Sequence, residues 1–571
     1  MSAANMLLLL AQLVAPPLQR GPARLPEPAA RQQPAPEAPG DNSNDDLKLA
    51  PDSGFPDQPK QREPRPSPTS GSSALPQISG DQLPYRRTQL ESLLRGCDTN
   101  SGDETGLRRC AELLNGQLQQ DGYINSRIYT ETVPAPGQLI VVMGRLVELH
   151  VESDEPRLTQ RVRKQLNNLI GGTLHLPSLQ RQLRQLKQRS VVGSISGKLG
   201  KLASDPTQAV LTLKVTPAQQ PWRGDLSVRN DGNAGSGEWR GIAVLQKPRL
   251  LRDDDLLQIY GEFNADGDPE LGAMLGSLSY TFPLGESVSL SGSFGASRRN
   301  LVEARGPAHD LSFRHYQGLF QLEWTLADTG DQTWYALASL SANRNDSYLD
   351  GRSFPLIIGG GLDGDLTSGY VRLGLGHAGS NANMGWSAQI YGLQGIAGFS
   401  STDELHDLAY YGIQPGEARA LGGIASLGWR LDPRLQLNLR AAGQVAFNEL
   451  TSDMGFSLGS DVGLRGLPGS IVSGDTGWLS TAELNWTFWQ RQTNALQLVP
   501  FFGVGGVETT RAGVTYEDTI GAAGVLVRWL HGKHWSVELG WSDQFHAGNN
   551  AGIWDDWLLG NGAYGKVRYR F

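Results

Sequence analysis

The chain has 571 residues, a formal net charge of −8 and only 19% charged residues. That length exceeds one ordinary core and implies at least two domains, while the acidic balance excludes a nucleic-acid partner, which calls for a basic surface. Mean hydropathy is −0.34 and no apolar run reaches about eighteen residues, which excludes spanning helices but not a β-barrel, whose strands alternate lipid-facing and lumen-facing residues.

At the amino terminus, Met6 to Ala15 forms an apolar run of the length of a signal-peptide core, although no basic segment precedes it and Pro16 follows at once. Residues 1–15 are therefore a candidate signal peptide. Residues 16–72 read as a Pro-rich disordered linker. Half of the 32 prolines lie between Pro16 and Pro84, and such a stretch buries too little apolar surface to offset its ordering entropy.

Residues 73–144 and 145–217 have a different grammar. Leu107, Cys110, Leu114 and Leu118 fall on one helical stripe, with Asp103 as N-cap and Gly122 as stop. Two strand-like runs follow, INSRIYTE and GQLIVVMG. The pattern then repeats: RLVELHVES alternates as a strand, Leu158, Val162, Leu166 and Leu169 keep helical spacing, and a second helix starts at Pro177. VVGSISGKLG and QAVLTLKVTP close the unit, with QAVLTLKV expected as an exposed edge strand. Two consecutive β-α-α-β-β modules of roughly 70 residues each result. The two cysteines, Cys97 and Cys110, both lie in the first module. Export would pair them in a disulfide closing a loop of about 13 residues, worth about 3 kcal/mol. A Cys-x12-Cys spacing with no adjacent His is poor for a metal.

Residues 222–571 are strand after strand, each with one apolar and one polar face. Leu435, Leu437 and Leu439 alternate with Gln436, Asn438 and Arg440; Leu257, Ile259 and Phe263 alternate with Gln258, Tyr260 and Glu262. About sixteen such runs begin near Trp222, Glu238, Asp255, Leu271, Ser287, Ser312, Gln332, Leu366, Met384, Ala418, Arg434, Gly477, Asn494, Thr519, Lys533 and Gly562, an even number that suits a closed transmembrane barrel. A soluble sandwich does not explain so consistent a polar face, and a propeller would show a repeat of about 40 residues. The chain ends on AYGKVRYRF, where Tyr569 and Phe571 share a face with Gly565 and Val567. This resembles the terminal-strand signal of bacterial outer-membrane barrels, which their assembly machinery reads.

Ahead of the twelfth strand lies the long connection SDVGLRGLPGSIVSGDTGW, in which Gly463 and Gly466 flank a lone arginine, Arg465. Two modules, a sixteen-stranded barrel and this loop together resemble the two-partner secretion transporters of the outer-membrane insertase superfamily, from about Ser73 onwards. The modules then correspond to POTRA (polypeptide-transport-associated) domains. In that family the loop carries V-R-G-Y/F, folds back into the lumen, and is followed by a Gly-Asp turn and a strand bearing an acidic residue. Leu464-Arg465-Gly466-Leu467, then Gly474-Asp475, then Glu483 match in order. Leu467 stands where the family has an aromatic, and Gly503 in PFFGVGG stands where its F-x-D-x-G motif has the aspartate. The carboxylate facing Arg465 is thus open among Asp461, Asp475, Glu483 and Glu508. The family's amino-terminal plug helix is poorly matched by the Pro-rich start.

Other motifs are weaker. Gly359, Gly361 and Gly364 satisfy G-x-G-x-x-G but precede a strand rather than a helix, and His531 and His534 lack the further ligands of a metal site. No nucleophile elbow or Walker motif is present, so neither an enzyme nor a cofactor is indicated. The resemblance implies an outer-membrane protein with periplasmic POTRA domains that exports one large exoprotein, an adhesin, haemolysin or hydrolase, through the barrel without ATP. A barrel-assembly insertase and a general porin are the alternatives.

Overall fold

The computed structural model describes residues 47–51 and 76–571, apart from 95–103, 134–136, 189–191, 203–204, 218–221, 234, 253, 267–270, 286, 303–309, 330 and 547–553. The candidate signal peptide, Asp103 and Cys97 lie outside these residues, and with Cys97 so does the expected disulfide. The chain divides into two compact units, residues 41–219 and a barrel unit from residue 220 onwards.

The first unit holds two sheets. Strands β2 (Gln77–Gly80), β3 (Arg127–Glu131) and β4 (Gln138–Val142) form one, in the order β2-β4-β3. Helices Arg87–Leu94 and Glu104–Gln120 accompany it. The apolar stripe of the longer helix is its buried face: Leu107, Cys110, Leu114 and Leu118 pack with Ile128, Leu139 and Val141. Gly122 follows with a φ of +90°, the left-handed turn that ends a helix at little cost only for glycine.

The second sheet runs β1-β6-β7-β5, from β1 (Leu47–Pro51), β5 (Arg145–Glu152), β6 (Val192–Leu202) and β7 (Asp205–Pro217). Helices Pro156–Leu166 and Leu176–Gln188 place Leu158, Val162, Leu166, Leu179 and Leu183 against Leu211 and Leu213 of β7. Two expectations change here. The segment QAVLTLKV is not an edge: β7 is central, parallel to β5 on one side and antiparallel to β6 on the other. Alternation in sequence reports which face a residue takes, not whether a strand has a neighbour. And Leu47–Pro51, inside the segment expected to be a disordered linker, is a strand laid parallel along β6.

In the second unit a closed antiparallel barrel is built from sixteen long strands. They are β8 (Arg223–Arg229), β9 (Trp239–Pro248), β10 (Leu256–Ala265), β11 (Leu271–Pro283), β12 (Val288–Asn300), β13 (Leu311–Asp328), β14 (Gln332–Leu349), β16 (Asp365–Ser380), β17 (Met384–Gly395), β18 (Arg419–Asp432), β19 (Leu435–Ala446), β22 (Thr476–Arg491), β23 (Asn494–Arg511), β24 (Val514–His531), β25 (Trp535–His546) and β26 (Ala563–Arg570). A two-residue strand, β15 (Arg352–Ser353), adds to β14. Most begin within a residue or two of the expected positions. The exception is β24, which starts at Val514 rather than Thr519: Ala512 and Gly513, both at positive φ, make a two-residue hairpin from β23, and pairing runs straight through the charged Glu517 and Asp518.

Alternation sorts the wall. Trp478, Phe502, Leu539 and Trp541 point outwards and are exposed, while their neighbours Leu479, Val507 and Glu538 point inwards and are buried. At one end β13 joins β14, β18 joins β19, β22 joins β23 and β24 joins β25 by turns of two or three residues, and there Trp324, Trp334, Trp429, Trp486, Trp489, Trp529 and Trp535 stand exposed. An aromatic girdle of this kind marks a membrane interface, where an amphipathic ring meets headgroups. Phe571 closes the ring: its backbone exchanges two 3.0 Å hydrogen bonds with Gly224, and Tyr569 packs against Trp535 with ring centroids 4.7 Å apart. The G-x-G-x-x-G segment forms turns before β16, with Gly359, Gly361 and Gly364 all at positive φ. His531 and His534 sit at the β24–β25 turn, their rings bonded to Asn494 and to the Arg570 carbonyl.

Candidate functional site

The connection from β19 to β22 enters the barrel as a short hairpin, β20 (Phe456–Gly459) paired with β21 (Ser470–Gly474). Its apolar residues explain why it stays inside. Phe456, Leu458, Leu464, Leu467 and Ile471 are buried against Leu479, Val507, Ile520 and Ala522 of the inner wall and against Trp554 and Trp557 of the β25–β26 connection. Burying five such side chains contributes on the order of 10 kcal/mol relative to exposure. A loop of this kind folds onto a wall that is apolar at that height.

The tip carries the arginine. Gly463 and Gly466 have φ of +103° and +85°, so the chain turns sharply on either side of Arg465. A Cβ on Gly466 would also stand 2.8 Å from that of Ser542, so β25 can approach only because the residue is glycine. Thus presented, the guanidinium meets three groups. Its Nε donates to Glu483 on β22 at 3.0 Å, and one Nη donates to Glu538 on β25 at 2.6 Å and to the Tyr564 hydroxyl on β26 at 3.1 Å. Glu538 also accepts from Arg528 on β24 at 2.8 Å, and Arg528 donates to Asn485 at 2.8 Å. One buried carboxylate therefore bridges two arginines. The planar fork of arginine suits this: two carboxylates and a hydroxyl are reached from one rigid group.

Gly503 explains the missing aspartate. A Cβ there would lie 3.0 Å from Leu464 Cδ2 and 3.8 Å from the Leu464 Cα, so the wall is bare where the loop rests on it. The counter-charges stand instead on β22 and β25. Of the carboxylates the sequence leaves open, Glu483 lies against Arg465, and the structure places the other three against other groups. Asp461 is paired with Arg240 on β9 and, at 3.8 Å, with Arg229 on β8. Asp475 receives both Nη groups of Arg511, at 2.5 and 2.9 Å. Glu508 meets this loop through its backbone carbonyl, which accepts the Asp475 N–H at 2.9 Å. Arg240 is held in turn by Glu262 on β10 at 2.7 Å.

The loop is therefore fastened along one arc of the wall, by an anion against β8–β9 and by a cation against β22, β25 and β26, of which β26 is the direct neighbour of β8. Glu538, Tyr564 and the Asp461–Arg240 pair escaped sequence reasoning. Alternation marks Glu538, Arg240 and Arg229 as inward-facing, but register across a closed barrel is needed to say which of them meet.

Residues 208–527 match the model of the family described as haemolysin secretion/activation protein ShlB/FhaC/HecB. Glu538 and Tyr564 lie beyond the matched stretch. Among solved structures, CdiB from Escherichia coli superimposes with a TM-score of 0.64 at 16% identity over 89% of this chain and 93% of that one. CdiB from Acinetobacter baumannii superimposes with a TM-score of 0.58 at 16% identity over 92% and 94%. These two likenesses concern the fold. No curated protein sequence matches the chain.

Proposed function

The chain belongs to the haemolysin secretion/activation family ShlB/FhaC/HecB and is a two-partner secretion transporter of the outer membrane with a secreted exoprotein as its partner, and on that premise we propose how it works. The two β-α-α-β-β modules, residues 73–144 and 145–217, are POTRA domains held in the periplasm. They capture the partner's amino-terminal region as an extended strand on an exposed sheet edge. The hairpin β20–β21 is the element that yields for the partner to pass through the lumen as an extended chain, and folding outside gives direction without ATP. The partner is an adhesin, haemolysin or hydrolase, and the barrel reaches the membrane through the assembly machinery that reads Tyr569 and Phe571.

One observation carries this reading: a hairpin packed on the inner wall of the barrel is fastened at its tip by Arg465 to three different strands. A porin has no use for such a strap, nor for two modules ahead of the barrel. A single point charge cannot replace a fork that meets Glu483, Glu538 and Tyr564 at once. Arg465→Ala is expected to lower secretion of the partner about tenfold or more, equivalent to roughly 1.4 kcal/mol, with barrel insertion retained. Arg465→Lys is expected to recover little. Quantifying the exoprotein in the medium against the amount of inserted barrel tests this, and secretion at the native level by both variants overturns the role of the residue.

A further inference from the structure

The edge of β6 that faces away from β7 is occupied by β1, and β1 comes from the Pro-rich segment ahead of both modules. The pairing is parallel and runs from Leu47 opposite Ile195 to Pro51 opposite Leu199. It covers the middle of β6 and leaves Val192–Ser194 and Gly200–Leu202 without a neighbour on that side among the described residues. Pro51 brings no N–H to the ladder and ends it. A five-residue strand has no fold of its own, so its order derives from this edge.

We propose that β1 is a built-in placeholder, and that the partner's extended segment is captured by displacing it and adding in parallel along β6. The proposal rests on the reading that the modules capture the partner by strand addition, and names the edge, the direction and the competitor. An entering strand remakes the bonds that β1 gives up, so exchange over five residues is nearly neutral. β1 is tethered, however, and competes as though present at about millimolar concentration. A short strand-forming peptide therefore fails to displace it. A segment long enough to pair with all 11 residues of β6 gains the two uncovered ends and wins. The resting edge is thus closed to chance strands and open to a long, proline-poor one, which also protects it from edge-to-edge aggregation.

The register supplies the test. Lys48 lies opposite Ser196, and Ala50 opposite Lys198. Full-length chain carrying Lys48→Cys with Ser196→Cys is purified in detergent and oxidised, with the single substitutions as controls for Cys97 and Cys110. Ala50→Cys with Lys198→Cys is the second clamp. Each pair is expected to form an intramolecular cross-link that the single variants lack. In cells the clamped chain is expected to export at least tenfold less of the exoprotein that vanishes from the medium when the chain is deleted, with recovery on adding dithiothreitol. A fluorescent peptide of residues 44–52 is the second probe: it is expected to bind full-length chain from which Leu47–Pro51 has been deleted, and not the native chain.

Failure of both pairs to cross-link overturns the placement of β1. Native secretion by a fully cross-linked chain overturns displacement, and leaves capture to the remaining edges, β5, β2 and β3. If the exoprotein's amino-terminal region binds neither the native nor the deleted chain, the capture reading fails and this proposal with it. If it binds clamped and native chain equally, only this proposal fails.

Discussion

Arg465 and Glu538 differ in what their loss leaves behind. Without Arg465, Glu538 keeps Arg528 as its partner, and Glu483 is partly solvated, its side chain 24% exposed against 6% for Glu538. Without the Glu538 charge, two guanidiniums are left facing a neutral group in a mostly enclosed site. Stranding buried charge costs about 3 to 5 kcal/mol, so Glu538→Gln is expected to destabilise the barrel more than Arg465→Ala does, and Glu483→Gln less than either. Thermal loss of the compact form on unheated gels ranks the three; a ranking with Glu483→Gln as the most damaging overturns the assignment of Glu538 as the central carboxylate. The legibility of these residues in the sequence follows from their distance. Arg465 stands out because glycines flank it and the turn they make is local. Glu538 lies 73 residues further on in an ordinary alternating strand, and only closure of the barrel brings it to the arginine. Gly503 reads as a missing charge until the resting place of Leu464 is known, when it becomes the space the loop needs.

At the level of elements, the modules show what alternation carries and what it omits. The helical stripes of Leu107 to Leu118 and Leu158 to Leu166 were legible because one face of a helix is buried whatever else surrounds it. The lateral order of strands was not. QAVLTLKV reads the same at an edge as in the centre, and β1 hides among prolines that argue against any structure. The observed order makes a prediction about proline. In β7 it removes a ladder bond between two neighbours; in β5, the edge opposite β1, it removes at most a bond to one. Leu211→Pro is therefore expected to unfold the second module and expose it to limited proteolysis of the full chain. His150→Pro is expected to leave it resistant. Equal sensitivity of the two variants overturns the strand order.

For the whole molecule the test is the barrel. Sixteen strands hydrogen-bonded into a ring, with Phe571 against Gly224, have no edge from which to unzip. The full-length protein is expected to migrate faster on a denaturing gel before boiling than after it, and to be recovered with outer-membrane vesicles; one mobility under both conditions overturns the closed ring. The barrel was the most legible part of the chain, since each strand declares itself by period-two alternation and the count needs no register.

The hairpin that straps the lumen carries only two charged residues between Phe456 and Gly474, Asp461 and Arg465. They cancel. A voltage acts on a mobile element through its net charge, about 2.3 kcal/mol per unit charge per 100 mV, and this element offers none. An electrical potential twists the strap as a dipole but does not pull it outwards or inwards. A potential across the outer membrane therefore exerts no net pull on this hairpin along the barrel axis.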